Sequence, residues 1–535
     1  MTQGNTSDLT SEAWRYIAYL SFKMDCAMEQ EQVMWRFDKA AAERHLKTLT
    51  AAKLVKTDEL QKVMPRKALT RVVDMPKVMF NKPDIKVHSK PEKMFKADGS
   101  PTAVNLKWYK LLEEQGLPEY TEGPIEVLTG PPEGSPSANN LKWHQVLKQQ
   151  GLPEDTKGPI TLVTGYEDGS PTSHQQVKDW LFGIGWKPKA FDLKRNKDTG
   201  ETRKVPQVRV EGELCPSVLK LVSKDPAVAV LDGLTVITHR MSFFQSMLNN
   251  HITDDNGVHY LKAEVAGLTN TLRFKHSKPL ANLPSVGKPW GEEIRGCLLA
   301  KDDDHVLCGW DMVSLESNTK KHYMYPHDPV YVEELSQEGF DEHLDLAKQA
   351  GYITQEDIDE YNEGTRPDIK PVRNKFKPVN YSAVYGISAG GIVRDTGMKM
   401  VEAEALLKAY WERNHAVLKV TNEIFTKQTK DRKLWLMNPV SGFWYSLRYK
   451  KDIWSTTNQG TGVYCFDRML NIVRKEGIKF SGQFHDEGAY SLPKGNEEGN
   501  DEMLRGCVKL LNEQLEVNVS LDIDSDYGNS YAAVH

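Results

Sequence analysis

Apolar and polar positions follow two periods along this chain, and the switches between them outline its elements. From Asp25 to Leu60 apolar residues recur at helical spacing with neither Pro nor Gly, which predicts one long helix. Met64 to Lys96 is proline-rich with little periodicity, so it reads as an extended connector. The chain then repeats itself. DGSPTAVNLKWYKLLEEQGLPEYTEGPIEVLTG, from Asp98, returns as EGSPSANNLKWHQVLKQQGLPEDTKGPITLVTG, from Glu133, an offset of 35 residues, and a third DGSPT opens at Asp168. NLKWYKLLEEQ and NLKWHQVLKQQ have short helical patterns, and GLPE stops each. Two complete copies are too few for a free-standing solenoid, so the module belongs to a larger domain. A DNA-contacting lobe, a partner dock and an inert duplication all fit it.

After Asp168 the pattern mixes. SHQQVKDWLFGIGW and VLDGLTVITHRMSFFQSML are helical, whereas VHYLKAEVAG and DHVLCGWDMVSL read as strands. FSGQFHDEGAYSL reads as strand, turn, strand. An α+β protein is expected.

Composition narrows the class. With 535 residues, 39% hydrophobic and 27% charged, the chain is ordinary globular protein of about three domains. No apolar run is expected to span a membrane, the start is polar and acidic, and six scattered cysteines form no CxxC pair. A secreted, disulfide-framed or membrane protein is excluded on this reading. The net charge of -5 is unevenly spread: Arg44 to Lys110 holds sixteen Lys/Arg against six Asp/Glu, while Glu338 to Glu363 is acidic. One surface suited to a polyanion would give this segregation, and so would a merely solvated basic face.

Three segments carry candidate chemistry. Gly309-Trp310-Asp311-Met312-Val313-Ser314-Leu315-Glu316 sets an acid at the end of an apolar strand. Arg373, Lys377, Tyr381 and Tyr385 recur in steps of four, a helical stripe of two cations and then two phenols. Gln483-Phe484-His485-Asp486-Glu487 puts adjacent acids at a hairpin turn. Each alone is weak, since strand-end acids are mostly turn residues and such stripes are mostly solvated edges.

In this order the three segments resemble motifs A, B and C of the family A DNA polymerases, with the phage replicative branch nearest. Thr271-Leu272-Arg273 and Pro279-Leu280-Ala281-Asn282-Leu283-Pro284 look like that family's TGR and PNLxxIP signatures. Asp341-Glu342-His343, Asn458-Gln459-Gly460-Thr461 and the ending Gly528 to His535 are similar to further family elements. The resemblance runs from about Asp168 to His535 and is loose from Asp25 to Gly165.

The resemblance implies a right-hand fold, α+β, with helical thumb and fingers and an antiparallel-sheet palm. Residues 1–24 would be a candidate docking element and 25–252 the thumb, with the repeat at 95–165 a candidate processivity clamp. Residues 253–320 would form the first part of the palm, 321–451 the fingers and 452–535 the second part of the palm. It implies template-directed DNA synthesis on a primer–template from deoxynucleoside triphosphates. Asp311 and Asp486 would hold two Mg2+ ions, with Mn2+ able to substitute. Glu487 would be a neighbouring acid whose contact with metal stays open. Arg373, Lys377 and His343 would grip the β/γ-phosphates, Lys377 also protonating pyrophosphate. Tyr381 would stack on the incoming nucleotide and tolerate dideoxynucleotides, Tyr385 would close the site, and Glu316 would reject a ribose 2′-OH. Arg273, Gln459 and His485 would contact DNA.

Some positions depart from the family. Ser317 and Asn318 follow Glu316 where Leu-Arg is usual, Leu272 replaces a Gly, Ser455 stands where Asn is common, and Pro378 sits inside motif B. The helix would therefore start near Lys377 or kink there. No DxE-type exonuclease motif precedes the polymerase-like region, so this chain is expected not to proofread. A separate 3′–5′ exonuclease subunit and a processivity factor or helicase would then be partners, with no membrane, in a host cytoplasm. Two rivals are a single-subunit RNA polymerase and a polymerase-like subunit that only binds DNA.

Overall fold

The computed structural model describes residues 10–82, 84–130, 134–195, 199–210, 213–396 and 398–534. The architecture is α+β, as expected. The chain divides into two compact units, one made of Met1–Leu60 with Leu181–His535 and the other of Gln61–Trp180. The expected thumb therefore contributes to both.

The larger unit is organised around a four-stranded antiparallel sheet in the order Gly482–Phe484, Glu487–Pro493, His305–Met312, Ile523–Gly528. Strand alternation sends Val306, Cys308, Trp310 and Met312 to one face. There they meet Phe466, Met469, Leu470 and Val473 of helix Ile453–Lys475, and Leu504, Cys507 and Leu511 of helix Glu497–Gln514. Leu307 and Ala489 go to the other face, with Trp35, Phe37, Tyr531 and Val534. Gly309 belongs to that second face. A Cβ there would lie 2.4 Å from the Val534 carbonyl oxygen, so only glycine lets the C-terminal segment lie against the strand two residues before Asp311.

The single helix expected over Asp25–Leu60 is two, Ser11–Val33 and Lys39–Val63, with a strand Trp35–Phe37 between them. Trp-Arg-Phe alternates with period two. Its backbone pairs with His259–Leu261 and Leu298–Leu299, which buries both aromatic rings. Met34 turns the chain at φ 58°, and the Asp38 carboxylate caps the second helix by accepting from the Ala41 N–H at 2.8 Å. Within the expected docking element, Tyr19 and Lys23 are buried against Asp467, so the described part of that segment is built into the fold.

One stretch, Pro226–Asn250, is long and apolar enough to cross a membrane by length and composition, against the sequence expectation. Its helical part, Leu234–Asn250, buries Phe243, Phe244 and Met247 in the second-face core. All six cysteines are buried free thiols.

The smaller unit corrects the reading of Met64–Lys96 as a bare connector. Lys67–Val73 pairs with Ile160–Glu167, and Ile85–His88 pairs with Ile125–Leu128. Each of the 35-residue copies contributes one helix, Ala103–Glu114 or Ala138–Gln149, whose Trp and Leu pack on the following strand. The cores are equivalent: Trp108, Leu112 and Ile125 in one, Trp143, Leu147 and Ile160 in the other. Buried Asn105 and Asn140 donate to the carbonyls of Met94 and Met79, each at 2.7 Å. Phe95 bridges to Pro101 and Phe80 to Pro136 in the same way. The connector is thus itself a repeat of period 15, and its later copy serves the earlier 35-residue module. A third pairing follows that order, for a Cβ on Gly169 would lie 2.7 Å from Met64 Cβ.

Candidate active site

Asp311 is the next-to-last residue of strand His305–Met312, exposed, and in direct register with Glu487 on one side and Asp524 on the other. Asp486 occupies the two-residue turn before Glu487, and its carbonyl accepts from the Met312 N–H at 3.2 Å. The two aspartates, 175 residues apart in sequence, are therefore neighbours at one end of adjacent strands. His485, first in that turn, sits at φ 62°, a conformation that costs a non-glycine residue about 1–2 kcal/mol.

Arg273, Glu316, Gln459, His485 and Asp486 line one cleft with Leu315, Gly462 and Val463. The Arg273 guanidinium lies 3.8 Å from the Asp486 carboxylate. Burial pushes the Asp486 carboxyl above the usual range, and Arg273 only partly opposes this. Burial, and then Arg273, hold His485 below the ordinary imidazole value. Arg273 follows Leu272, whose φ of 65° shows why a glycine would suit that place. Leu272 is itself buried in the core that contains Tyr323 and Trp454.

Glu316 lies in the first turn of helix Leu315–Met324. Asn458 Nδ2 donates to its carbonyl at 2.9 Å, and the Tyr385 hydroxyl donates to its carboxylate at 2.9 Å. Glu487 is buried and accepts from the Tyr531 hydroxyl at 2.9 Å. A buried, held acid beside Asp311 suits a supporting role in the sheet.

Arg373, Lys377, Tyr381 and His343 form a second cluster. Helix Lys370–Ala383 is continuous through Pro378, so the expected start near Lys377 is corrected. The helix ends before Tyr385, which stands in the following turn rather than on the helical stripe. Arg373 is paired with Asp341, the N-cap of helix Glu342–Gln349. His343 is buried, its Nδ1 3.1 Å from Asn380 Nδ2 and its ring 5.2 Å from that of Tyr381. Lys377 Nζ stands 5.9 Å from the Tyr381 ring. Of this group the Arg373 side chain is engaged by an acid through Nε, and the rest of its guanidinium fork has no hydrogen-bond partner among the described residues. Tyr385 is bonded across to the cleft, through Glu316.

The sequence did not mark Glu29, Gln30 and Glu31 of the first helix, which hold backbone around the hairpin of Asp486. Gln30 donates to the Ala263 carbonyl at 2.6 Å and accepts from the Gln483 N–H at 3.1 Å. Glu29 accepts from the Phe480 N–H at 3.2 Å and Glu31 from Val265 at 3.1 Å. Nothing in an acidic-amide run on a helix distinguishes it from a solvated face. Tyr531 and Asn458 lay inside quoted motifs, yet their partners could not be read from spacing. His535 lies outside the described residues.

The sequence profile of DNA polymerase family A matches residues 157–437, more than half of the chain. The chain belongs to DNA polymerase family A. That match includes Asp311 and the Lys370–Ala383 helix. DNA polymerase I of Helicobacter pylori (strain ATCC 700392 / 26695) is 24% identical over 217 residues, covering 41% of this chain and 22% of that protein. DNA polymerase I of Streptococcus pneumoniae serotype 4 is 27% identical over 186 residues, covering 35% and 19%. The aligned part is thus about a fifth of each relative's length. Among solved structures, the POL domain of Pol1 from M. smegmatis, in complex with DNA primer-template and dNTP, superposes with a TM-score of 0.50. It is 19% identical, and the superposition covers 69% of this chain and 62% of that one. The likeness is one of fold.

Proposed function

We propose that this family A chain is a DNA-directed DNA polymerase that extends a primer by two-metal nucleotidyl transfer. The observation that carries the reading is the placing of Asp311 and Asp486 on adjoining strand ends beside the cleft of Arg273, Glu316, Gln459 and His485. Two hard carboxylate donors fit magnesium or manganese, which prefer oxygen ligands. Asp486 fits a cation further, because its burial leaves its negative charge under-compensated by Arg273 alone. Among the described residues no group of three or more His, Cys, Asp and Glu side chains is gathered as a ready metal cage. When bound, a divalent pair supplies Lewis acidity to the attacking and departing oxygens.

The chain's own residues orient the rest. Arg273 holds the Asp486 carboxylate and faces the cleft, where it and Gln459 meet the minor-groove edge, whose acceptors vary little with sequence. Tyr381 offers a half-exposed ring for stacking, and Lys377 stands beside it as the phosphate cation and proton donor to pyrophosphate. Glu316, fixed by Asn458 and Tyr385, crowds the sugar 2′ position.

The replicated DNA is proposed to be a phage genome in a host cytoplasm, supported by the nearest resemblance of the motifs. Residues 1–535 are themselves proposed not to proofread, since no DxE-type motif stands among them before the polymerase-like segments. Magnesium-dependent extension of a labelled primer–template, beside Asp486→Ala and a mispaired 3′ end, tests all but the source. Extension lost in the variant, with the mispaired end untrimmed, is expected. Salt-sensitive DNA binding without extension would overturn the enzyme reading, and trimming would overturn the claim about proofreading.

A further inference from the structure

The period-15 repeat of the smaller unit presents the same exposed feature twice. In each Met-Phe pair the methionine packs toward the module core: Met79 with Trp143, Leu147 and Ile160, and Met94 with Trp108, Leu112 and Ile125. The adjoining phenylalanine stays outside. Phe80 is 56% exposed and Phe95 54%. Lysines flank both rings, Lys77 and Lys82 about the first and Lys93 and Lys96 about the second, and all four are exposed. None of these four lysines forms a salt bridge among the described residues, unlike Lys67 with Glu167 or Lys90 with Glu122. From Lys62 to Lys96 the tract holds ten Lys/Arg against three Asp/Glu.

Core formation does not ask for these rings, since each module already buries a Trp, a Leu, an Ile and the inner Met. A single exposed apolar residue needs no explanation. Two phenylalanines at equivalent places, each set between unpaired cations on a tract of strong positive excess, do. We propose that Phe80 and Phe95, equivalent in their rings, with Lys77, Lys82, Lys93 and Lys96 at differing offsets beside them, are two stacking sites for single-stranded nucleic acid. A flat ring open to solvent accepts an unpaired base of any identity, and the lysines on either side meet the phosphates that flank it. Duplex bases are already stacked on one another and offer a lone ring nothing. The 15-residue spacing limits the two rings to within ~50 Å of each other along the chain, so one strand can engage both.

The test uses the full chain and a labelled oligothymidylate, with binding read by fluorescence anisotropy across a salt series. Phe80→Ala with Phe95→Ala is expected to weaken binding by about tenfold or more while leaving the salt slope in place. Replacing the four lysines by glutamine is expected to reduce the slope of log affinity against log salt by about 3, near 0.7 per lost phosphate contact. Leu106→Ala with Leu141→Ala removes two equally exposed apolar side chains of the same unit and is expected to change nothing. An oligonucleotide carrying iodouracil is expected to form photo-adducts at Phe80 and Phe95. Unchanged affinity in the phenylalanine variant, an equal loss in the leucine variant, or adducts confined to other residues would each overturn the proposal. So would a blunt duplex that competes as well as the single strand, which would point to duplex binding. The measurement involves no catalysis, so it stands or fails separately from the polymerase reading.

Discussion

The Tyr385 hydroxyl donates to the Glu316 carboxylate at 2.9 Å, joining the turn after one helix to the first turn of another across 69 residues of sequence. Burial, and then the Glu316 charge, push the phenol up to about 12, so it stays a donor throughout the neutral range. A hydrogen bond to a charged group contributes about 1.5–3 kcal/mol, and here it fixes where the carboxylate stands. If Glu316 crowds the ribose 2′-OH, Glu316→Ala should admit ribonucleotides. Tyr385→Phe should relax selection less, by about tenfold, because the carboxylate remains but wanders. The ratio of kcat/KM for a deoxynucleotide to that for its ribonucleotide measures this, and an unchanged ratio in Glu316→Ala would remove the gate.

Asp311 and Asp486 should separate chemistry from folding. Asp311 is exposed, and Asp486 has burial working against its charge, so Asn at either place should leave thermal stability close to wild type. Loss of a metal-holding carboxylate should still lower the extension rate by about a thousandfold or more, in line with several kcal/mol of charge stabilisation. Primer–template affinity should survive. A variant that binds DNA and extends it at near wild-type rate would displace that aspartate from the metal role.

Much of this site was legible because its chemistry sits on regular elements. A strand-end acid, a cation-and-phenol stripe and a hairpin acid pair are weak singly and carry the reading through their order, and Asp311 and Asp486 do share a sheet end. What could not be read was long-range: that Trp35-Arg36-Phe37 breaks a helix depends on strands more than 220 residues away. The Met64–Lys96 tract looked unstructured because each of its strands finds a partner only in a later module, in reverse order. Burial was equally hidden. The resemblance implies that His343 and Arg373 grip phosphates, and spacing does not show that Asn380 lies against the first or that Asp341 pairs with the second.

The buried pair Lys23–Asp467, at 2.7 Å, ties the first helix to helix Ile453–Lys475, and Tyr19 also donates to Asp467. Lys23 Nζ further lies 4.0 Å from the centre of the Phe274 ring, next to Arg273. Desolvation offsets most of what such a pair gains, but removing one partner strands the other charge. Asp467→Ala should therefore cost about 3–5 kcal/mol in denaturant unfolding. Lys23→Met with Asp467→Leu should recover most of that. A double variant as unstable as the single one would show that the pair contributes more than mutual neutralisation.

His276 should set an acid limb of stability. Its imidazole is pushed down to about 4, first by burial and then by the charges of His485 and Lys23, and its ring packs 4.8 Å from that of Phe484. The folded chain keeps it neutral, while the unfolded chain takes up a proton near the ordinary value of about 6.5. The unfolded state thus binds more protons between those two values, and stability rises with pH there. This contribution is whole above about pH 6.5 and is lost as pH falls toward 4, a change of up to about 3 kcal/mol. His276→Phe keeps an aromatic ring against Phe484 and removes the titration, so its unfolding free energy should vary less across that window. Equal slopes for variant and wild type between pH 6.5 and 4 would mean that His276 protonates as readily in the folded chain as in the unfolded one.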